Sequence, residues 1–121
     1  MSSLNSKLQI IASDLRVISY YPKLTPALGS VTATILFSEL IKFWISNNQK
    51  PFFKYKEPCQ TPCYKAGESW IEILGFTRRE FDSALKKLVD LGVVSTRIDI
   101  ERKTWYSLNN EKVVAIFGGV K

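Results

Sequence analysis

Residues 67–91 read GESWIEILGFTRREFDSALKKLVDL, and their spacing predicts a helix, a tight turn and a second helix. The first helix is expected from about Glu68 to Leu74, with Gly75 taking the positive φ that closes it. Thr77 then caps the second helix by accepting a free backbone amide on its hydroxyl oxygen, and Glu80, three residues on, completes a capping box. Phe81, Ala84, Leu85, Leu88 and Leu91 recur at the three-and-four spacing of one helical face, while Arg78, Arg79, Asp82, Ser83, Lys86, Lys87 and Asp90 occupy the others. A second helix of this build, entered through a short turn, has the shape that fits a DNA major groove.

Downstream, Leu91-Gly92 stops that helix, and residues 93–108 read as a β-hairpin. Val94, Thr96 and Ile98 alternate onto one side, and Thr104, Tyr106 and Leu108 do the same after a turn near Ile100 to Arg102. The turn lacks Asn-Gly, so its type is open. A hairpin that directly follows a helix of the recognition type is the wing of a winged helix. The chain then closes with a short apolar helix over 110–117, capped at Asn109 or Asn110 and stopped at Gly118.

Upstream, Ser30 is a good N-cap for a helix over 30–47. Val31, Ile35, Leu36, Phe37, Leu40, Ile41, Phe43, Trp44 and Ile45 cover more of its surface than one amphipathic stripe needs. This helix is therefore either the central core helix or a face for a homodimer, for which the C-terminal helix is a second candidate. Residues 1–29 form an N-terminal extension. It contains a strand or short helix from residue 8, a strand near Arg16 to Tyr20, and a short helical turn capped by Thr25, begun by Pro26 and closed at Gly29. Phe52 to Tyr55 read as a short aromatic strand, and 56–65 as an irregular connection. Lys54, Lys56 and Lys65 there either meet phosphate or stay solvated. The expectation is one α+β domain, a winged helix-turn-helix whose three-helix core carries a β-hairpin wing.

At 121 residues, 45% hydrophobic and 12% aromatic, the chain can bury a core of its own. A net charge of +6 favours a polyanionic partner. The absence of His removes the usual general base and the commonest zinc ligand. Cys59 and Cys63, spaced CQTPC, match neither a redox CxxC nor a complete zinc site. They read as two loop thiols, with a disulfide or a metal shared across a dimer as alternatives. Glu68 with Glu72, and Glu80 with Asp82, are acid pairs that read as solvated helix surface. The expectation is a protein that is not an enzyme and uses no cofactor, metal, small-molecule substrate or membrane. The N-terminus MSSLNSKLQIIASD lacks the pattern of a secretory signal, which predicts a cytoplasmic, DNA-associated protein.

Within the helix pair, Thr77, Arg78 and Arg79 lie where a groove-inserted helix first reaches base edges. Phe81 sets the inward phase, so Arg79 and Ser83 project more squarely outward than Arg78, whose other role is a salt bridge or a phosphate contact. Lys86 and Lys87, two turns on, suit phosphate. Ser69 and Lys65 lie at or before the start of the first helix, where free amides hold anions, although Glu68 places a negative charge at the same end. In the hairpin, Arg97, Arg102 and Lys103 either reach the DNA backbone or minor groove, or pair across strands with Asp99 and Glu101.

The segment SWIEILGFTRREFDSALKKLVDLGVVSTRIDIERKTWYSLN resembles the winged-helix domains of phage, plasmid and integrated-element replication proteins, the replisome organisers and initiators. YYPKLTPALGSVTATILFSELIKFW, Tyr20 to Trp44, is similar to that family's first block, a Tyr-Pro segment leading through Gly-Ser into an aromatic-ended helix. Trp70, Leu74, Gly75, Arg78, Phe81, Leu85 and Leu88 match its helix-turn-helix positions, and Trp105 and Tyr106 its closing aromatic strand. The resemblance implies double-stranded DNA binding tied to a viral, plasmid or mobile genome, in replication initiation or transcription regulation. Two other functions fit the residues. One is a protein–protein interaction module using helix 31–45 and the terminal VVAIF; the other is single-stranded nucleic-acid binding by stacking on Tyr55, Tyr64 or Trp105.

Overall fold

The computed structural model describes residues 18–118 and, ahead of them, Ser6, Lys7 and Gln9. Of the strand or short helix expected from residue 8, the described residues include Gln9, which is helical, and the rest lies outside them. So does the start of the strand expected near Arg16, and Ile18 to Tyr20 have no regular secondary structure.

Helix α2, Val31–Ser46, is the element around which the others pack. Its cap is local: the Ser30 hydroxyl accepts the Ala33 amide at 3.0 Å. Ala33, Leu36, Phe37, Leu40 and Trp44 are buried, so most of the apolar surface of this helix is consumed inside the chain. Val31 and Ile45, at its two ends, stay exposed. Before it, a single 3-10 turn, Pro22–Leu24, leads into α1, Thr25–Leu28, and Gly29 at φ 94° reverses the chain. Thr25 does not cap α1 as expected. Its hydroxyl instead accepts from Thr34 on α2 at 3.1 Å, tying the leading segment to the core helix.

Helix α3, Trp70–Leu74, and helix α4, Arg78–Asp90, follow. Gly75 between them sits at φ 69°, a conformation that L side chains rarely adopt. Phe81, Ala84 and Leu88 of α4 are buried against α2. Leu91, expected on that same stripe, is the C-cap and is 41% exposed, because the chain leaves the helix there.

Strands β1 (Phe52–Phe53), β2 (Val94–Ile98) and β3 (Thr104–Leu108) form an antiparallel sheet in the order β1-β3-β2. The register pairs Val94 with Leu108, Thr96 with Tyr106 and Ile98 with Thr104, matching the alternation in the sequence. β1 is shorter than the expected Phe52–Tyr55, and its pairing with β3 places Phe52 opposite Tyr106 on the inner face and Phe53 opposite Trp105 on the outer. Helix α5, Asn110–Gly118, closes the described chain; the Asn109 side chain caps it by accepting the Lys112 amide at 3.2 Å, while the Asn110 side chain accepts the Trp44 indole N–H at 2.8 Å. The result is an α+β fold. Trp70 is the hub of its core, stacked on Phe81 at 6.0 Å and edge-on to Phe43 and Tyr106 at 5.4 and 5.7 Å. Burial pushes the Tyr106 phenol up to about 12. Among the described residues no single helix is long and apolar enough to cross a membrane.

Candidate nucleic-acid interface

Helix α4 is held at its start by a reciprocal cap. The Glu80 amide donates to the Thr77 hydroxyl at 3.1 Å, and the Thr77 amide to the Glu80 carboxylate at 2.8 Å. With Phe81, Ala84 and Leu88 locked inward, the outer face is set by helical phase. Arg78, Arg79, Asp82, Ser83 and Lys86 line one shallow, open surface depression along it.

The charges on this face are not equivalent. Arg78 is engaged twice by Glu57, Nε to one carboxylate oxygen at 2.7 Å and a terminal nitrogen to the other at 2.9 Å. Asp82 pairs with Lys56 at 3.2 Å, so the connection after β1 delivers a carboxylate to Arg78 and an ammonium to Asp82. Lys86 pairs with Asp90 one turn on, at 3.1 Å, with both side chains well exposed. Arg79 and Ser83 make no side-chain hydrogen bond or ion pair among the described residues, and both are exposed. Lys87, expected to meet phosphate beside Lys86, leaves the face. Its ammonium donates to the Gly29 carbonyl at 3.4 Å, pinning α4 to the turn between α1 and α2.

The start of α3 departs furthest from expectation. Ser69 is fully buried and donates its hydroxyl to Glu72 at 2.6 Å. The same carboxylate accepts the Gly67 and Ser69 amides at 3.0 and 3.2 Å and the Tyr64 hydroxyl. These bonds, the Ser69 hydroxyl foremost and then Tyr64, hold the Glu72 carboxyl below its usual value. The next two amides, Trp70 and Ile71, are taken by the carbonyls of Tyr55 and Lys56 at 2.9 and 3.0 Å. The Gly67, Ser69, Trp70 and Ile71 amides that an incoming phosphate would use are already taken, and the expected anion site at Ser69 is filled from within by Glu72. The signal was in the sequence: Ser69-Trp-Ile-Glu72 is a second capping box. It also breaks the supposed Glu68–Glu72 surface pair, since Glu68 precedes the helix and lies 3.8 Å from Lys54.

Of the three lysines flanking this connection, Lys54 is folded onto the rings of Phe43 and Trp70, its nitrogen 4.6 and 5.6 Å from their centroids. Lys65 stays exposed beside a depression lined by Phe53, Tyr55, Cys63 and Tyr64. Cys59 and Cys63 are free thiols. Among the described residues no group of three His, Cys, Asp or Glu side chains is placed to hold a metal ion.

The hairpin carries the remaining cations. Arg97 lies 5.8 Å above the Trp105 ring, and Lys103 lies 4.9 Å above Phe53 while pairing with Glu101 at 3.1 Å. Arg102 is exposed at φ 64° and makes no side-chain hydrogen bond or ion pair among the described residues. The expected cross-strand ion pairing is thus replaced by a pair within the turn, Lys103 with Glu101, which leaves Arg97 and Arg102 without an ion pair among the described residues. On the outer face of the sheet Trp105, Phe53, Tyr55 and Tyr64 form a continuous aromatic row, with successive centroids 5.4, 5.7 and 6.0 Å apart.

No family model, curated protein or solved structure matches the chain.

Proposed function

We propose that this protein is a winged-helix binder of double-stranded DNA, with α4 entering the major groove and the β2–β3 hairpin acting as the wing. The observation that carries the reading is the outward face of α4. Arg79 and Ser83 stand on it without internal partners among the described residues, on a helix fixed by its Thr77–Glu80 cap and its buried stripe. A groove-reading side chain must be unspent and rigidly based, and Arg79 meets both conditions. Its guanidinium can address the O6 and N7 acceptors of one guanine together. Lys86, and Arg78 once released from Glu57, sit at the margins of the face, where phosphates run. Replication initiation or transcriptional control of a viral, plasmid or mobile element is the process that the resemblance to replisome organisers and initiators supports.

Titration of fluorescently labelled duplexes at several salt concentrations tests the reading. Duplex binding with log affinity falling steeply against log salt is expected. Failure to bind any duplex at low salt ends it.

The aromatic row on the outer sheet face favours a second reading, in which unpaired bases stack on Trp105 and Tyr55 while Arg97 and Lys65 meet the backbone. It predicts a preference for single strands over duplexes and loss of that preference in Trp105→Ala. If two copies associate, α5 is the better face than α2, because Val114 and Phe117 are exposed while the apolar surface of α2 is mostly covered. Light scattering gives the mass that decides this.

A further inference from the structure

The tip of the hairpin divides its five residues into two groups. Asp99, Glu101 and Lys103 are turned to partners within the hairpin. The Asp99 carboxylate accepts the backbone amides of Glu101 and Lys103, both at 2.9 Å, and the Trp105 indole N–H at 2.8 Å, while Glu101 and Lys103 pair at 3.1 Å. Ile100 and Arg102 have no side-chain partner among the described residues. Ile100 is 100% exposed, more than Ile98 or Val114 at 69%. The tip thus consumes its acids internally and presents one apolar and one cationic side chain outward.

Folding alone does not account for that pair. The backbone reverses through a turn closed by the Arg102 amide on the Asp99 carbonyl at 3.0 Å, with Arg102 in the left-handed conformation that glycine adopts at no steric cost. A β-branched apolar residue at the apex gains nothing from solvent. Both choices become intelligible if the apex meets a surface that is anionic at its edges and apolar within. A DNA minor groove becomes such a surface at a base step that opens: phosphates line its rims, its floor carries the polar base edges, and the base faces uncovered by unstacking are apolar.

We infer that Ile100 is a wedge that enters the minor groove of bound duplex and partly unstacks one base step, with Arg102 beside it in the groove. This rests on the duplex-binding reading above. Five residues per strand at about 3.4 Å each give the hairpin a reach of roughly 17 Å, enough to cross the phosphate backbone between adjacent grooves. The three hydrogen bonds on Asp99 keep the tip from collapsing on contact. Apolar wedges flanked by cations open base steps in this way, most easily at flexible pyrimidine–purine steps.

The test uses the full chain and duplexes carrying 2-aminopurine beside TA or CA steps, with dyes at both ends to report bending. Wild type should raise 2-aminopurine fluorescence several-fold at one step and shorten the end-to-end distance. Ile100→Ser should lose both signals and bind about tenfold more weakly, with an unchanged salt slope because no charge is removed. Ile100→Phe should restore them. Tight wild-type binding with flat 2-aminopurine fluorescence, or an Ile100→Ser variant that still unstacks the step, overturns the wedge while leaving duplex binding intact. Absence of any duplex binding by wild type overturns the duplex reading, and the wedge with it.

Discussion

Replacing Arg79 with alanine should weaken duplex binding while leaving the fold unchanged, and the magnitude follows from how the two neighbouring arginines are used in the free protein. Arg79 is exposed and makes no side-chain bond among the described residues, so its removal should change stability by no more than about 0.5 kcal/mol. A bidentate contact with one guanine is worth roughly 1–3 kcal/mol, which corresponds to a loss of affinity of about 5- to 150-fold. Arg78 must first surrender its two contacts with Glu57, at 2.7 and 2.9 Å. An exposed pair of that kind is worth about 0–1 kcal/mol, so the net cost of Arg78→Ala should be the smaller of the two. Glu57→Gln, which releases Arg78, should tighten binding slightly. The assay is fluorescence anisotropy on one duplex panel at three salt concentrations, paired with thermal melts of each variant. Relaxed base preference at one position with little change in salt slope marks a base contact, and a slope reduced by about one marks a phosphate contact. If Arg79→Ala binds every duplex as wild type does while Arg78→Ala loses affinity, the assigned helical phase is wrong. If both variants are neutral, α4 does not enter the groove.

Other consequences are as direct. Ser69→Ala should cost about 1 kcal/mol of stability by removing the α3 cap, with unchanged duplex affinity; lost affinity in a variant that still melts cooperatively would restore the phosphate role to Ser69. Phe81→Ala should cost about 3–5 kcal/mol in urea titrations, because it removes the ring stacked on Trp70 and leaves a cavity between α2 and α4. Arg102→Gly should raise stability by about 1 kcal/mol through relief of the left-handed backbone, yet weaken duplex binding. The Tyr106 phenol, raised by burial to about 12 from 10.0, ionises first in the unfolded chain. Its contribution is therefore full below pH 10 and should fall by roughly 2–3 kcal/mol as pH approaches 12, a loss that Tyr106→Phe should abolish. The Glu72 and Asp99 carboxyls are held low, by the Ser69 hydroxyl and the Trp105 indole respectively, so what they contribute should be lost on the acid side, below the ordinary carboxylate range.

What could be read from the chain alone was whatever depends on neighbours in sequence. The Thr77–Glu80 cap, the left-handed Gly75, the Ser30 cap and the inward stripe of Phe81, Ala84 and Leu88 are settled within one or two helical turns, where side-chain spacing fixes geometry. The alternation of Val94, Thr96 and Ile98 against Thr104, Tyr106 and Leu108 set the hairpin register for the same reason. The Ser69–Glu72 cap is equally local, set by a spacing of three residues, and it leaves Glu68 ahead of the helix rather than in its first turn. Tertiary structure alone decided which cations remain free. Glu57 reaches Arg78 across 21 residues, Lys56 reaches Asp82 across 26, and Lys87 reaches Gly29 across 58. Lys54 is folded onto Phe43 and Trp70 by the pairing of β1 with β3. Charge is a property of the residue, but its availability depends on what the fold brings within about 4 Å. Residues 67–91 therefore announced a capped helix pair with Arg79 turned more squarely outward than Arg78, and the assembled chain supplied the partner that occupies Arg78, Glu57, and left Arg79 on α4 and Arg102 on the hairpin without one among the described residues.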